Sequence, residues 1–153
     1  VLVSGPEPQR SVFEKKLIEA SKKLKIKSII LQCKPSLNLV NKQGNTSIIS
    51  HLQTEALNKL ILESKYVISR AGYTTVMDLA KLKKKSFLIP TNGQYEQEYL
   101  SNYISQNGFC LTSRLEEIDL EKIIGKLDEI HGFANYEQDV VNWKDIFKII
   151  AHA

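Results

Sequence analysis

Gly72, Thr74, Thr75 and Asp78 lie close together in the stretch YVISRAGYTTVMDLAKLKKKSFLIP, residues 66–90. The apolar run Tyr66-Val67-Ile68 reads as a buried strand, and the pattern after Gly72 restarts as a helix. A glycine at that junction either adopts a backbone conformation closed to other residues or lets a ligand approach closely. Thr74 and Thr75 add hydroxyl donors to the amides of a first helical turn, where an anion is stabilised. Asp78 follows Thr74 by four residues and Thr75 by three, which puts all three on one face. The carboxylate then sits about 5–6 Å further along the axis. Phosphates at the tip and a ribose diol against the carboxylate fit this layout, as a nucleotide diphosphate lying across the helix end. The competing reading is structural: Asp78 pairs with Lys81 or Lys85, an interaction of only about 0.2–0.5 kcal/mol. Val76, Leu79 and Ala80 fall on the other side and are expected in the core.

A second junction of this kind is VSGPEPQRS near the start of the chain. Gly5 ends a strand-like run and a helix begins near Arg10 or Ser11, again presenting first-turn amides. Pro6 and Pro8 have no amide hydrogen to give, and Glu7 would repel a phosphate unless it points away. Arg10 could compensate. The alternative is a stiff proline-rich turn with no ligand. Neither the dinucleotide Gly-x-Gly-x-x-Gly pattern nor the P-loop occurs.

The elements that must position these residues alternate. VLVSG reads as a strand, and RSVFEKKLIEASKKL as an amphipathic helix with Val12, Leu17, Ala20 and Leu24 inward. KSIILQC is a strand, KPSLNLVNKQGNTS a loop, and IISHL a third strand. TEALNKLILES is a helix capped by Thr54, with Leu57, Leu60 and Ile61 on one face. YVIS, YTTVMDLAKLK, SFLIP, EQEYLSNYISQNG and FCLT continue the alternation, with Gly108 at a left-handed helix end. DLEKIIGKLDEI and VVNWKDIFKIIAHA finish the chain as helices, where Trp143, Phe147 and Ile150 read as core or docking contacts. Strands and helices in this order predict an α/β fold with a doubly wound parallel sheet. Ligands of such sheets gather at the carboxyl ends of the strands.

Composition narrows the partners. The chain has 153 residues, 42% hydrophobic and 25% charged, with a formal net charge of +4. That is one globular domain. The mild basicity suits a phosphate-bearing ligand, while the absence of a basic, aromatic-studded face argues against nucleic acid. Lysines at 15–16, 22–23 and 83–85 read as solvated faces. Cys33 and Cys110 lack metal-ligand spacing and read as buried free thiols of a reducing compartment, so no metal is expected. No apolar run approaches the roughly 20 residues of a membrane span, and no signal peptide is expected. The chain opens without Met inside a strand-like run, which suggests a fragment of a longer protein.

SRAGYTTVMDLAKLKKKSFLIPTNGQYEQEYLSNYISQNG, with VLVSGPEPQRS more loosely, resembles the glycosyltransferase family 28 C-terminal domain. That family includes the bacterial enzyme that adds N-acetylglucosamine to the lipid-linked muramyl precursor of peptidoglycan; UDP-glucuronosyltransferases are distant relatives. The resemblance implies that residues 1–153 form one nucleotide-sugar-binding domain, the Rossmann-like C-terminal half of a two-domain, B-fold glycosyltransferase. Gly5, Arg10, Gly72, Tyr73, Thr74 and Thr75 would meet the diphosphate. Asp78 would take the ribose hydroxyls where the family usually has glutamate. Glu96 and Gln97, or Gln97 and Glu98 one residue on, would contact the sugar, and the base would lie near His51, Leu52 and Gln53. The implied reaction is inverting, metal-independent transfer of a hexose or N-acetylhexosamine from a UDP-sugar to an acceptor hydroxyl, with no cofactor. The general base and the acceptor site would belong to an N-terminal domain. His51, His131 and His152 match no catalytic position. A cytoplasmic setting follows, at the inner face of a membrane if the other half associates peripherally.

Two alternatives stay open on the sequence. One is an epimerase-type domain acting on UDP-N-acetylglucosamine, which would need acid and base groups at a domain cleft. The other is a non-catalytic donor-binding subunit whose acceptor-binding partner is a separate protein.

Overall fold

The computed structural model describes residues 1–134. The expected last helix, with Trp143, Phe147, Ile150 and His152, lies outside the described residues. The described elements run α1 (Gln9–Ser21), β1 (Ser28–Leu31), β2 (Val40–Gln43), β3 (Thr46–Ile49), α2 (Thr54–Glu63), β4 (Tyr66–Arg70) and α3 (Tyr73–Lys81). They continue with β5 (Lys85–Ile89), α4 (Tyr95–Gln106), β6 (Cys110–Thr112), a 3-10 turn (Leu115–Glu117) and α5 (Leu120–Leu127).

The strands form two three-stranded ladders, β1-β3-β2 and β4-β5-β6. Residues 1–3, expected to be a strand, lie between them. Val3 N–H donates to the Leu31 carbonyl and Leu31 N–H to that of Val1, both at 2.9 Å, while Leu2 N–H donates to the Ile68 carbonyl at 2.8 Å. The run therefore joins the two ladders, although its pairing amounts to a single parallel bridge, Leu2 with Leu31. β1 and β3 are parallel, as are β4, β5 and β6.

β2 departs from the expected loop. It pairs antiparallel with β3 as an edge strand, so the sheet is parallel except at this margin. All of β2 is exposed, and its Val-Asn-Lys-Gln sequence has no apolar alternation to betray it. The usable signal is the two-residue loop Gly44-Asn45, where Gly44 takes the positive φ (58°) that the first position of a type II′ hairpin turn needs. Buried Ser50 fastens the preceding segment: its hydroxyl accepts from Leu39 N–H and donates to the Leu37 carbonyl, each at 2.8 Å.

Side chains of the central strands alternate between two cores, as the period of a strand dictates. Ile68, Phe87 and Ile89 pack against Phe13 and Leu17 of α1 and Leu120 and Leu127 of α5. Val67, Leu88 and Cys110 face Val76, Leu79 and Ala80 of α3 and Leu100 and Ile104 of α4. Each fully buried Leu, Ile or Phe contributes about 1.5–3 kcal/mol, so this two-sided burial holds the sheet between its helices. The inward face of α1 is Phe13, Leu17 and Ser21; of the expected set Leu17 and, just past the helix, Leu24 are buried and Ala20 packs against the same core, whereas Val12 is 56% exposed. Ser21 hid this stripe because it is polar; its hydroxyl is satisfied by the Ile18 carbonyl at 2.8 Å. In α2 the expected face is half-buried, but Gln53 is the N-cap and Thr54 the first helical residue, with no side-chain cap. Cys110 is buried as expected, and burial pushes its thiol up to about 12; Cys33 instead lies exposed.

α4 ends as predicted at Gly108 (φ 71°). Phe109 N–H reaches the Ile104 carbonyl at 3.0 Å and Gly108 N–H that of Ser105 at 2.9 Å, the paired bonds of a Schellman motif. A Cβ at Gly108 would stand 2.5 Å from His131 Nε2, whereas one at Gly125, inside α5, would meet nothing within 4 Å. Gly108→Ala should therefore destabilise the protein by more than about 1 kcal/mol, while Gly125→Ala should stabilise it by about 0.5–1 kcal/mol. Urea unfolding midpoints of the two variants should move in opposite directions.

Candidate functional site at the strand carboxyl ends

The loop from residue 5 to α1 needs its glycine, since Gly5 has φ 112°. Its other groups are engaged within the loop. One Glu7 oxygen accepts the Ser11 amide and the other meets the Arg10 guanidinium, both at 3.2 Å. Those hydrogen bonds, Ser11's foremost, hold the exposed Glu7 carboxyl below its ordinary range. Arg10 also donates to the Gln32 carbonyl at the end of β1. The first turn of α1 thus carries an anion supplied by its own loop, and Arg10 braces that loop against the sheet.

The second junction is arranged differently. β4 ends at Arg70, Ala71 is fully buried, and Gly72 is the N-cap of α3 with φ −71° and ψ 140°. That is ordinary extended backbone, so of the two roles expected for Gly72 the special conformation does not apply. A Cβ there would meet only Thr75 Oγ1, at 3.9 Å. The fold itself therefore does not demand a glycine at this position. No side chain caps the turn, and the first inter-turn bond runs from Val76 N–H to the Gly72 carbonyl at 3.0 Å. Thr74 is exposed, Thr75 half-buried and Asp78 exposed, while Val76, Leu79 and Ala80 are buried as predicted. Among the described residues Asp78 makes no ion pair. Of the two lysines in the structural alternative, Lys85 instead donates from Nζ to the Asp128 carbonyl at 3.0 Å, and Lys81 forms no ion pair with Asp78 among the described residues.

At the end of β5, Gln97 Oε1 accepts the Thr91 amide and Glu98 Oε1 the Gly93 amide, both at 2.9 Å. These two side chains therefore cap the loop that leads into α4, whereas Glu96 is exposed on the helix beside them. β3 ends at Ile49, so His51 and Leu52, expected to close the strand IISHL, lie with Gln53 in the loop before α2; His51 and Gln53 are exposed and Leu52 half-buried. His131 Nδ1 lies 2.8 Å from the Gly132 carbonyl and its ring stands edge-on to Phe109, a packing role.

Sequence reading passed over Arg70. This residue is 4% exposed, and its guanidinium donates to the Pro90 carbonyl at 3.0 Å and the Gln9 carbonyl at 3.2 Å. It also lies 4.2 Å over the Phe13 ring. One buried cation thus ties the ends of β4 and β5 to the start of α1. Burial lowers its pKa from the free value. Its position at the end of the mostly buried strand YVISR was the available signal. Beside it a cleft of about 430 Å³ opens across the ends of β4, β5 and β6, lined by residues of α1, α4 and the 3-10 turn. The α3 tip and Glu96 and Gln97 are not among its walls. Among the described residues no group of three His, Cys, Asp or Glu side chains could hold a metal ion, and no helix is long and apolar enough to cross a membrane.

A doubly wound sheet with an uncapped helix tip beside its strand ends defines a Rossmann-like α/β domain similar to those of B-fold glycosyltransferases. The chain belongs to the glycosyltransferase family 28 C-terminal domain family, whose model matches residues 9–144. Among solved structures it is similar to the spinosyn forosaminyltransferase SpnP, with a TM-score of 0.64, 15% identity and 88% of this chain covered. It is also similar to the glycosyltransferase SnogD from Streptomyces nogalater, with a TM-score of 0.59, 13% identity and 76% covered. The match spans only 36% of SpnP and 31% of SnogD. No curated protein sequence matches the chain.

The Arg70 clasp is testable. Arg70→Met keeps much of the packing volume but removes both carbonyl bonds, and should cost about 2–4 kcal/mol in chemical unfolding. Arg70→Lys should recover little of this, because one ammonium cannot reproduce the two-pronged geometry. An Arg70→Met protein as stable as the parent would show that the guanidinium's desolvation cancels its contacts.

Proposed function

We propose that the chain is the donor-binding half of an inverting, metal-independent glycosyltransferase that uses a UDP-sugar. The observation that carries this reading is the α3 tip: an uncapped first turn, a glycine the fold does not require, two threonines, and one turn deeper a carboxylate without an ion pair among the described residues. Family membership and the two glycosyltransferase structures support it.

In this reading the diphosphate lies over Gly72, Tyr73, Thr74 and Thr75, with Gly5 and Arg10 at its flank. Asp78 accepts from the ribose diol, and Leu52 and Gln53 border the base. Glu96 and Gln97 stand beside the sugar, which is a hexose or N-acetylhexosamine. As the glycosidic bond breaks, negative charge grows on the departing nucleoside diphosphate. Fixed amides and hydroxyls at the helix tip stabilise that charge without reorganising. An acceptor hydroxyl attacks the anomeric carbon from the opposite side, and a general base supplied by an N-terminal domain takes its proton. No cofactor enters. The setting is cytoplasmic, with any membrane contact made by the acceptor-binding half.

Two nucleotides test the site. Asp78→Ala should weaken UDP binding about 10–100-fold in calorimetry, the worth of hydrogen bonds to a charged acceptor. 2′-Deoxyuridine diphosphate offers one hydroxyl fewer and should lose less on the same substitution. Equal losses for both would remove Asp78 from the ribose.

A further inference from the structure

Residues 20–54 contain six lysines and neither aspartate nor glutamate, so their formal charge of +6 exceeds the +4 of the whole chain. Two of those lysines are already matched. Lys34 pairs with Glu14 at 2.9 Å, and Lys23 borders a hollow shared with Glu19, Asp119 and Glu121. Lys22, Lys25, Lys27 and Lys42 are exposed and make no ion pair among the described residues. The fold gathers three of them at one margin of the sheet. The Asn45 carbonyl accepts the Ser28 amide, and the Asn45 side-chain amide donates to the Lys25 carbonyl, both at 3.0 Å. Lys25 and Lys27 thus abut the β2–β3 hairpin, whose outer strand carries Lys42.

The same margin is apolar. Ile26, between the two lysines, is exposed, as is Leu37. Leu39 and Val40, where β2 begins, are 62% and 72% exposed. Their backbone is fixed: Ser50 bonds to Leu37 and Leu39, and β3 pairs with Val40. The aliphatic side chains are therefore held out into solvent.

Lysine alone has a structural use here, as a guard against edge-to-edge pairing with a second copy. Leu39 and Val40 work against such a guard, because exposed aliphatics on an edge strand promote pairing. Cations and aliphatics on one surface suit instead an anionic bilayer, where the aliphatics enter the headgroup boundary and the lysines meet the phosphates. A protein partner favours a concave seat, and none of these four aliphatics lines the clefts at Arg70 or Lys23.

We propose that this margin of the sheet, with Lys25, Lys27 and Lys42 beside Leu39 and Val40, docks on the anionic face of a lipid bilayer. The inference does not rest on the donor-binding reading. It amends that reading in one respect, by giving the donor half a membrane contact of its own. With β2 lying on the bilayer, four strand spacings separate it from β4, so the α3 tip stands about 20 Å above the surface. A soluble nucleotide can reach it there.

Vesicle co-sedimentation of the protein tests this, with phosphatidylcholine alone and with phosphatidylglycerol mixed in. Binding should require the anionic lipid and fall steeply as salt is raised. The triple variant Lys25→Gln, Lys27→Gln, Lys42→Gln should lower the partition coefficient about 100-fold, at roughly fivefold per lysine. A charge-matched control, Lys15→Gln with Lys81→Gln and Lys122→Gln, alters exposed lysines elsewhere and should cost less than about fivefold. Leu39→Ser with Val40→Ser leaves the charge unchanged and should still cost at least about tenfold. All these side chains are exposed, so the variants should keep the parent's circular dichroism. Phosphatidylglycerol vesicles that leave the protein in the supernatant would overturn the proposal and point to an acidic protein as the partner. Equal losses in the two lysine triples, or undiminished binding by the Leu39→Ser, Val40→Ser variant, would overturn it as well.

Discussion

Burial of β4 and β5 on both faces constrains the placement of nearly everything else in this molecule. Val67 and Leu88 look into one core while Ile68, Phe87 and Ile89 look into the other. Strands covered on both sides leave polar chemistry almost nowhere to emerge except at their ends. The carboxyl ends then gather what the core excludes: Arg70, Gly72 and the α3 tip after β4, Thr91 and the start of α4 after β5, and the 3-10 turn after β6. Site and core are consequences of one packing arrangement.

The two strand-to-helix junctions differ in how their helix ends are satisfied. At α1 the loop provides its own carboxylate, Glu7, and its own cation, Arg10. At α3 no side chain caps the turn, and the neighbouring carboxylate, Asp78, stands a turn away without an ion pair among the described residues. A ligand anion meets less competition at α3. Arg70 couples the junctions mechanically, since it bonds to the carbonyl of Gln9 at the start of α1 and that of Pro90 at the end of β5.

Much of this was legible in the sequence where local pattern and burial agree. β4 with α3, β5 with α4, and the glycine stop at Gly108 each carry a periodic apolar signal with a turn residue at its end. The misses share a physical cause, which is that partners distant in sequence decide them. β2 is an exposed strand whose order comes from pairing with β3, so its own residues say little. Phe13 faces inward and Val12 outward because the sheet and the cleft lie where they do. Arg70 reads as an ordinary arginine until Phe13, Gln9 and Pro90 converge on it. The cleft joins α1, α4 and the turn after β6, elements that only the folded sheet brings together.

The central claim is that the tip of α3 receives the nucleotide diphosphate. An amide chemical-shift titration with UDP, with GDP and CDP as controls, tests it most directly. The account predicts saturable shifts at residues 72–78 with UDP, weaker with the other bases, and smaller ones at the start of α1. Saturable shifts that leave residues 72–78 unmoved, or no shift anywhere at millimolar UDP, would contradict it.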